Sequence, residues 1–137
     1  MVGLIRCCRP QRRHSMSLTE VSADRPYSPA FVAAGLVFVS GALSVDEYCV
    51  PVPGRTEALD AAVDRMVDRL ATVGGELRDV VKLTYFVTDL SLREEANRQF
   101  ERIFDAPRPA RTFVEVSGLP YGATVEIDAV ATARTGG

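Results

Sequence analysis

Apolar positions along this chain change period several times, and each change predicts an element. Residues 30–34 and 36–40 are short apolar runs split by Gly35, which predicts two short strands joined by a tight glycine turn. Residues 44–53 are polar and proline-flanked, so they predict mainly loop, with a brief strand at 48–50. The period then becomes helical. Leu59, Ala62/Val63, Met66/Val67 and Leu70 recur at spacings of three and four, while Asp60, Asp64, Arg65, Asp68 and Arg69 fill the opposite face. Gly74-Gly75 supplies the stop, and Met66 within that stripe reads as core.

Residues 80–88, rich in Val, Tyr, Phe and Thr, predict the central strand. Ser91-Leu-Arg-Glu94 reads as a capping box opening a second helix that runs to about Phe104, with Ala96, Phe100, Ile103 and Phe104 buried. Two prolines within 105–109 end it. Residues 111–116 and 124–133 predict two further strands, joined across 118–122. The order β-β-(β)-α-β-α-β-β predicts an α+β domain, a mixed sheet with two helices on one face. The other face holds enough Val, Phe and Ala to require a partner, so the pattern predicts an oligomer.

Composition narrows the chemistry. With 47% hydrophobic and 25% charged residues, the chain is expected to be globular rather than disordered. Its net charge of −2 hides an asymmetry, because residues 1–15 hold Arg6, Arg9, Arg12 and Arg13 and no acid. Without those four, twelve basic groups face eighteen acidic ones, a net of −6 that repels phosphate backbones. The leader, residues 1–20, is expected to be poorly ordered, with Met16 as a candidate true start, and the domain proper to span 21–134. No apolar run approaches the ~20 residues of a membrane span, and a secretory h-region is missing, so a cytoplasmic location is expected.

The body lacks histidine, since His14 lies in the leader, and it has a single lysine, Lys82. Ser-His-Asp, Cys-His and His-metal chemistry are therefore excluded from it. Cys7 and Cys8 are adjacent and Cys49 is isolated, so neither zinc spacing nor a disulfide framework is legible. Alternation puts Arg111, Phe113 and Glu115 on one face of their strand, and Glu126 and Asp128 on one face of the last. If those strands pair, Arg111 and a carboxylate approach one another, either as a cross-strand salt bridge or as an anion clamp beside a general base. Lys82 reads as a solvated sheet lysine. Tyr27, between two prolines, is a placed aromatic hydroxyl or a packed chain end. Ser40-Gly41 offers a hydroxyl and an N–H at a strand end, or closes a turn.

Arg25-Pro-Tyr-Ser-Pro-Ala30, Leu36-Val-Phe-Val-Ser-Gly41, the run from Asp79 to Asp89, and above all Pro109-Ala-Arg-Thr-Phe-Val-Glu-Val116 with Leu119-Pro and Val125-Glu-Ile-Asp-Ala-Val-Ala131 resemble the Rid family of reactive intermediate deaminases, also called YjgF-like proteins. The resemblance runs in order from about Pro26 to Ala133. It implies a chorismate-mutase-like fold, a homotrimer with clefts between subunits, and cofactor-free hydrolysis of enamines or imines of 2-keto acids to keto acid and ammonia. The archetypal substrates are 2-aminoacrylate and 2-iminopropanoate, whose removal limits metabolite damage. Carried over residue by residue, the carboxylate-binding arginine falls on Arg111, the water-handling glutamate on Glu126 and the aromatic hydroxyl on Tyr27. The serine-glycine of the cleft falls on Ser40 and Gly41, and Asn97 matches an asparagine that lines the site. Phe113 stands where many members place cysteine or a small residue, and Ala42 replaces a usual glutamine.

Those two departures keep alternatives open. A ligand-binding or regulatory trimer with the same cleft is one, and a pathway-specific deaminase of a larger enamine is another. Ribonuclease or translation inhibition is disfavoured by the acidic body and the lack of a basic-aromatic stripe. The expected partners are a small imino or enamino acid and further copies of the chain, with no nucleic acid and no membrane.

Overall fold

Ala34 and Gly35 both take positive φ, 54° and 76°, the geometry of a two-residue hairpin turn whose twist matches the strands it joins. They connect β1 (Ala30–Ala33) to β2 (Leu36–Leu43), and β2 runs three residues further than its apolar pattern predicts. The structure is a computed structural model in which residues 25–134 are described. The expectations for the leader and for Met16 fall outside those residues.

The loop after β2 is organised by an aspartate rather than by a strand at 48–50. Asp46 Oδ1 accepts from the N–H groups of Tyr48 and Val50 at 2.8 and 3.0 Å, and the strand-like contact is a bridge between Val45 and Pro51. Cys49, within this loop, is disulfide-bonded, a pairing that its isolated position does not reveal. Helix α1 (Arg55–Ala71) buries the predicted stripe of Leu59, Ala62, Val63, Met66 and Leu70. It also buries Arg69, predicted to face solvent. Gly75 N–H then closes the C-terminus on Leu70 O at 2.9 Å.

Strand β3 (Val80–Val87), helix α2 (Arg93–Ile103) and strand β4 (Ala110–Glu115) form a crossover that lays β4 parallel to β3. The capping box at Ser91 does not form. Residues Leu90–Leu92 make a single 3₁₀ turn, capped by Asp89, whose Oδ1 accepts from Ser91 N–H at 2.9 Å. An aspartate two residues upstream offers its carboxylate to the backbone at shorter reach than the serine hydroxyl can.

Strand β5 (Val125–Thr132) does not pair with β4, contrary to one premise of the sequence reading. It runs antiparallel to both β2 and β3, giving the order β1-β2-β5-β3-β4. A parallel β3–β4 pair occupies one edge of β3, so β5 takes the other. Both helices lie on one face. Val37, Val39, Leu83, Tyr85, Val125 and Ile127 from the sheet meet Leu59, Met66, Leu70, Ala96 and Phe100 there. The α+β class and the one-sided helical layer are as predicted. On the open face Phe31 and Phe38, directly paired, remain 62% and 46% exposed.

Candidate active site

Arg111 lies on β4 in register with Leu83, and Phe113 in register with Tyr85, so all four share the helical face. The Arg111 guanidinium is framed by three rings, with its carbon 5.2 Å from the Phe100 centroid and 5.5 Å from those of Tyr85 and Phe113. Its Nη2 donates to Asn97 Oδ1 at 2.6 Å. Cation–π contact holds the faces of the guanidinium, and Asn97 holds one of its five N–H bonds. Among the described residues, no carboxylate forms a salt bridge with it. Burial lowers its pKa, yet an arginine in this setting stays charged.

The frame is itself anchored. Tyr85 is fully buried and donates its hydroxyl proton to Gln99 Oε1 at 3.0 Å. Gln99 Nε2 donates to Asp60 Oδ1 at 2.8 Å, and Arg102 Nη2 donates to the same oxygen at 2.7 Å. Burial pushes the Tyr85 phenol up, so it stays protonated and keeps donating. Sequence reasoning missed Tyr85 and Gln99 and read Phe100 as core. Only the sheet register and the α2 face bring them to Arg111.

A second cluster occupies the other side of the sheet. Val39 pairs with Ala129 and Ala42 with Ile127, so Ser40 and Gly41 both oppose Asp128 in a bulge. They lie within β2 rather than at a strand end. The Glu126 carboxylate lies where a Cβ on Gly41 would be, so a larger residue there would push this carboxylate aside. Ser40 Oγ donates to Ser28 O at 2.6 Å and Ser40 N–H to Pro29 O at 3.0 Å, which fixes the segment that carries Tyr27. The Tyr27 ring lies 6.0 Å below the Arg69 guanidinium. Burial, helped by Asp128 and opposed by Arg69, holds the Glu126 carboxyl above its ordinary pKa.

Arg111 and Glu126 therefore belong to opposite faces of one sheet. Ile127 shares the Tyr85 face, so its neighbour Glu126 points away from Arg111, and β3 separates their strands. Neither the cross-strand salt bridge nor the clamp-beside-base forms within one chain. Asn97 and Phe113 stand with Arg111, Ser40 and Gly41 lie in the bulge beside Glu126, and Tyr27 lies against Arg69 of α1. Lys82 is exposed as expected, its Nζ donating to Thr112 Oγ1 at 3.0 Å. Ala42 is fully buried among the core residues rather than lining a cleft.

This arrangement has relatives. The family model described as endoribonuclease L-PSP matches residues 17–133. The chain belongs to this family, the Rid family. The RutC family protein y4sK of Sinorhizobium fredii is 37% identical over 111 residues, covering 77% of this chain and 85% of that protein. A 2-iminobutanoate/2-iminopropanoate deaminase of Capra hircus is 32% identical over 112 residues, covering 80% of this chain and 82% of its own. The crystal structure of E. coli TdcF with bound serine superposes with a TM-score of 0.72 at 26% identity, over 80% of this chain and 90% of that one. Names within the family range from deaminase to endoribonuclease. No helix among the described residues is long and apolar enough to cross a membrane.

Proposed function

We propose that this Rid protein hydrolyses reactive imines or enamines of 2-keto acids, without a cofactor, to the keto acid and ammonia. The observation that carries the reading is Arg111, a half-buried cation held by three rings and one amide, with donor edges that no carboxylate of the described chain fills. Such a group suits a small carboxylate ligand, since a guanidinium fork matches two carboxylate oxygens. A relative with serine bound and another named as an imine deaminase support that ligand class.

The chemistry asks little of the protein. An iminium carbon is already electrophilic, so the tasks are to hold the acid, protonate the enamine carbon and deliver water. Water adds to the imine carbon, and the resulting carbinolamine loses ammonia as its hydroxyl proton departs. Arg111 fixes the carboxylate, and orientation of this kind can lower a barrier by several of the ~7–11 kcal/mol available in favourable cases. Glu126 moves the protons. A carboxyl raised above its usual range both gives and takes a proton near neutrality more readily than an ordinary glutamate. Ser40 and the Gly41 backbone beside it, with the Tyr27 hydroxyl, border the same space.

Because Arg111 and Glu126 occupy opposite faces of one sheet, a single molecule of substrate reaches both only between subunits. We place the site where the Arg111 cluster of one subunit meets the Glu126 cluster of the next, in a homotrimer. The exposed Phe31 and Phe38 favour burial of the open sheet face in that assembly. The test follows 2-iminopropanoate generated in situ from an amino acid. Purified protein should accelerate its loss and release ammonia, and Arg111→Ala should abolish the acceleration. Ligand binding without turnover would favour a regulatory trimer instead.

A further inference from the structure

Arg69 is 6% exposed on α1, and its Nε and Nη1 have no hydrogen-bond partner. A buried guanidinium with two orphaned nitrogens asks for an explanation, because each unmade bond to a charged donor costs more than one to a neutral group. The surroundings sharpen the question. Arg65 lies one turn earlier on the same helix, its Nη2 donating to the carbonyl oxygens of Val45 and Asp46 at 3.0 and 3.2 Å. Burial and the charges of Arg25 and Arg65 lower the Arg69 pKa, while Tyr27, through its hydrogen bond, opposes them. Asp68 and Asp46 act on Arg65. Arg69 itself has no acid in a salt bridge among the described residues.

Arg69 also adjoins the second half of the candidate site. The Tyr27 ring covers its guanidinium at 6.0 Å, and its charge reaches the Glu126 carboxyl. Tyr27 is 45% exposed, hydrogen-bonds the Arg69 side chain, and belongs to the segment before β1, which is tied to β2 through Ser28 and Pro29. Arg69 can meet a ligand beside Glu126 only if this ring turns aside.

We propose that Arg69 is an anion subsite behind Tyr27 that receives a second acid group at the far end of the substrate, so that the preferred imine is that of a dicarboxylic amino acid. This rests on the reading of the site given above. Arg111 holds the carboxylate next to the imine carbon, and Arg69 the distal one. An apolar or short side chain leaves the Arg69 nitrogens unmatched, so discrimination arises from the penalty on the wrong substrate as well as the gain on the right one.

The experiment uses the full chain, with Arg69→Met and Arg69→Lys as variants. Binding of succinate, propionate and inorganic phosphate is measured by calorimetry, and kcat/KM with imines generated in situ from aspartate and from alanine. Succinate should bind more tightly than propionate, a difference lost in Arg69→Met and partly kept in Arg69→Lys. The ratio of kcat/KM for the aspartate-derived over the alanine-derived imine should fall at least about thirtyfold in Arg69→Met. Arg69-dependent phosphate binding with an unchanged ratio would overturn the substrate assignment in favour of a free anion. No Arg69-dependent anion binding, with trimer loss in Arg69→Met, would overturn the subsite and give Arg69 a carboxylate of a neighbouring copy. Arg69-dependent succinate binding in a wild type that hydrolyses neither imine would support the subsite and sink the deaminase reading.

Discussion

At the scale of single residues the decisive group is Arg111. A lysine keeps the charge among the three rings but loses both the bond to Asn97 and the fork. Arg111→Lys should therefore fail nearly as badly as Arg111→Ala, each costing roughly 2–4 kcal/mol, or about thirtyfold to a thousandfold in kcat/KM. Both variants should stay folded, with Arg111→Ala melting somewhat lower because it loses three ring contacts and the Asn97 bond. A folded Arg111→Ala protein with wild-type turnover would remove the mechanism. Glu126 carries a different signature. Its folded pKa is raised, so the stability it contributes is complete below the unfolded pKa and is lost as pH rises through the folded one. Melting curves of wild type and Glu126→Gln from about pH 4 to about pH 8 should show wild type losing ground to the variant as pH rises. A difference that grows in favour of wild type would contradict burial as the dominant cause. The identities of Arg111, Glu126, Tyr27, Ser40 and Gly41 are legible in the sequence because each belongs to a motif. Their distribution over two faces is not, since alternation tells which residues of one strand share a face but not how two strands are oriented in the sheet. Tyr85 and Gln99 are silent for a related reason, as nothing in a buried aromatic or a helical glutamine marks it as support for a cation.

At the scale of elements, hydrophobic period locates both helices and all five strands within a few residues, since burial on one face imposes that period directly. Strand β2 runs on because the bulge at Ser40-Gly41 restores its pairing with β5 beyond the apolar run. Two local choices escape the pattern, and the start of α2 is one. Asp89 rather than Ser91 caps the 3₁₀ turn, and Ser91 Oγ merely accepts from the exposed Arg55 Nη2 at 3.1 Å. Asp89→Ala should cost about 1 kcal/mol, a fall of about 4–8 °C in melting temperature for a domain near 100 residues. Ser91→Ala should stay within about 0.5 kcal/mol of wild type. Reversal of that order in thermal melts would restore the capping box. Strand pairing is the other. Consecutive strands at 111–116 and 124–133 invite a hairpin, but the crossover through α2 commits β4 to a parallel place beside β3. β5 must then join from the far side, which is what separates Arg111 from Glu126.

At the scale of the whole molecule, one sheet with a covered and an open face sets Arg111 and Glu126 apart, and the proposed site needs two chains to join them. Three 14.9 kDa chains would give an assembly of about 45 kDa in light scattering, and a monomer at micromolar concentration would leave the half-sites apart. A stricter test uses two dead variants. Glu126→Gln retains the Arg111 half, and Arg111→Ala retains the Glu126 half. If each site takes one half from each of two neighbours, subunits exchanged at equal ratio place an intact pair at about a quarter of the interfaces, and about a quarter of wild-type turnover should return. Exchange is driven by brief dilution into mild denaturant and followed by mass spectrometry of differently tagged chains, so that a failure to mix is seen as such. Mixed trimers that stay inactive would show that both groups act within one subunit. Recovery without mixing would point to reversion or contamination. The outcome turns on the facing of two strands: in the register of β3 against β4 and β5, Tyr85 pairs with Phe113 on one side and Ile127 on the other, so Glu126 points to the face opposite Arg111.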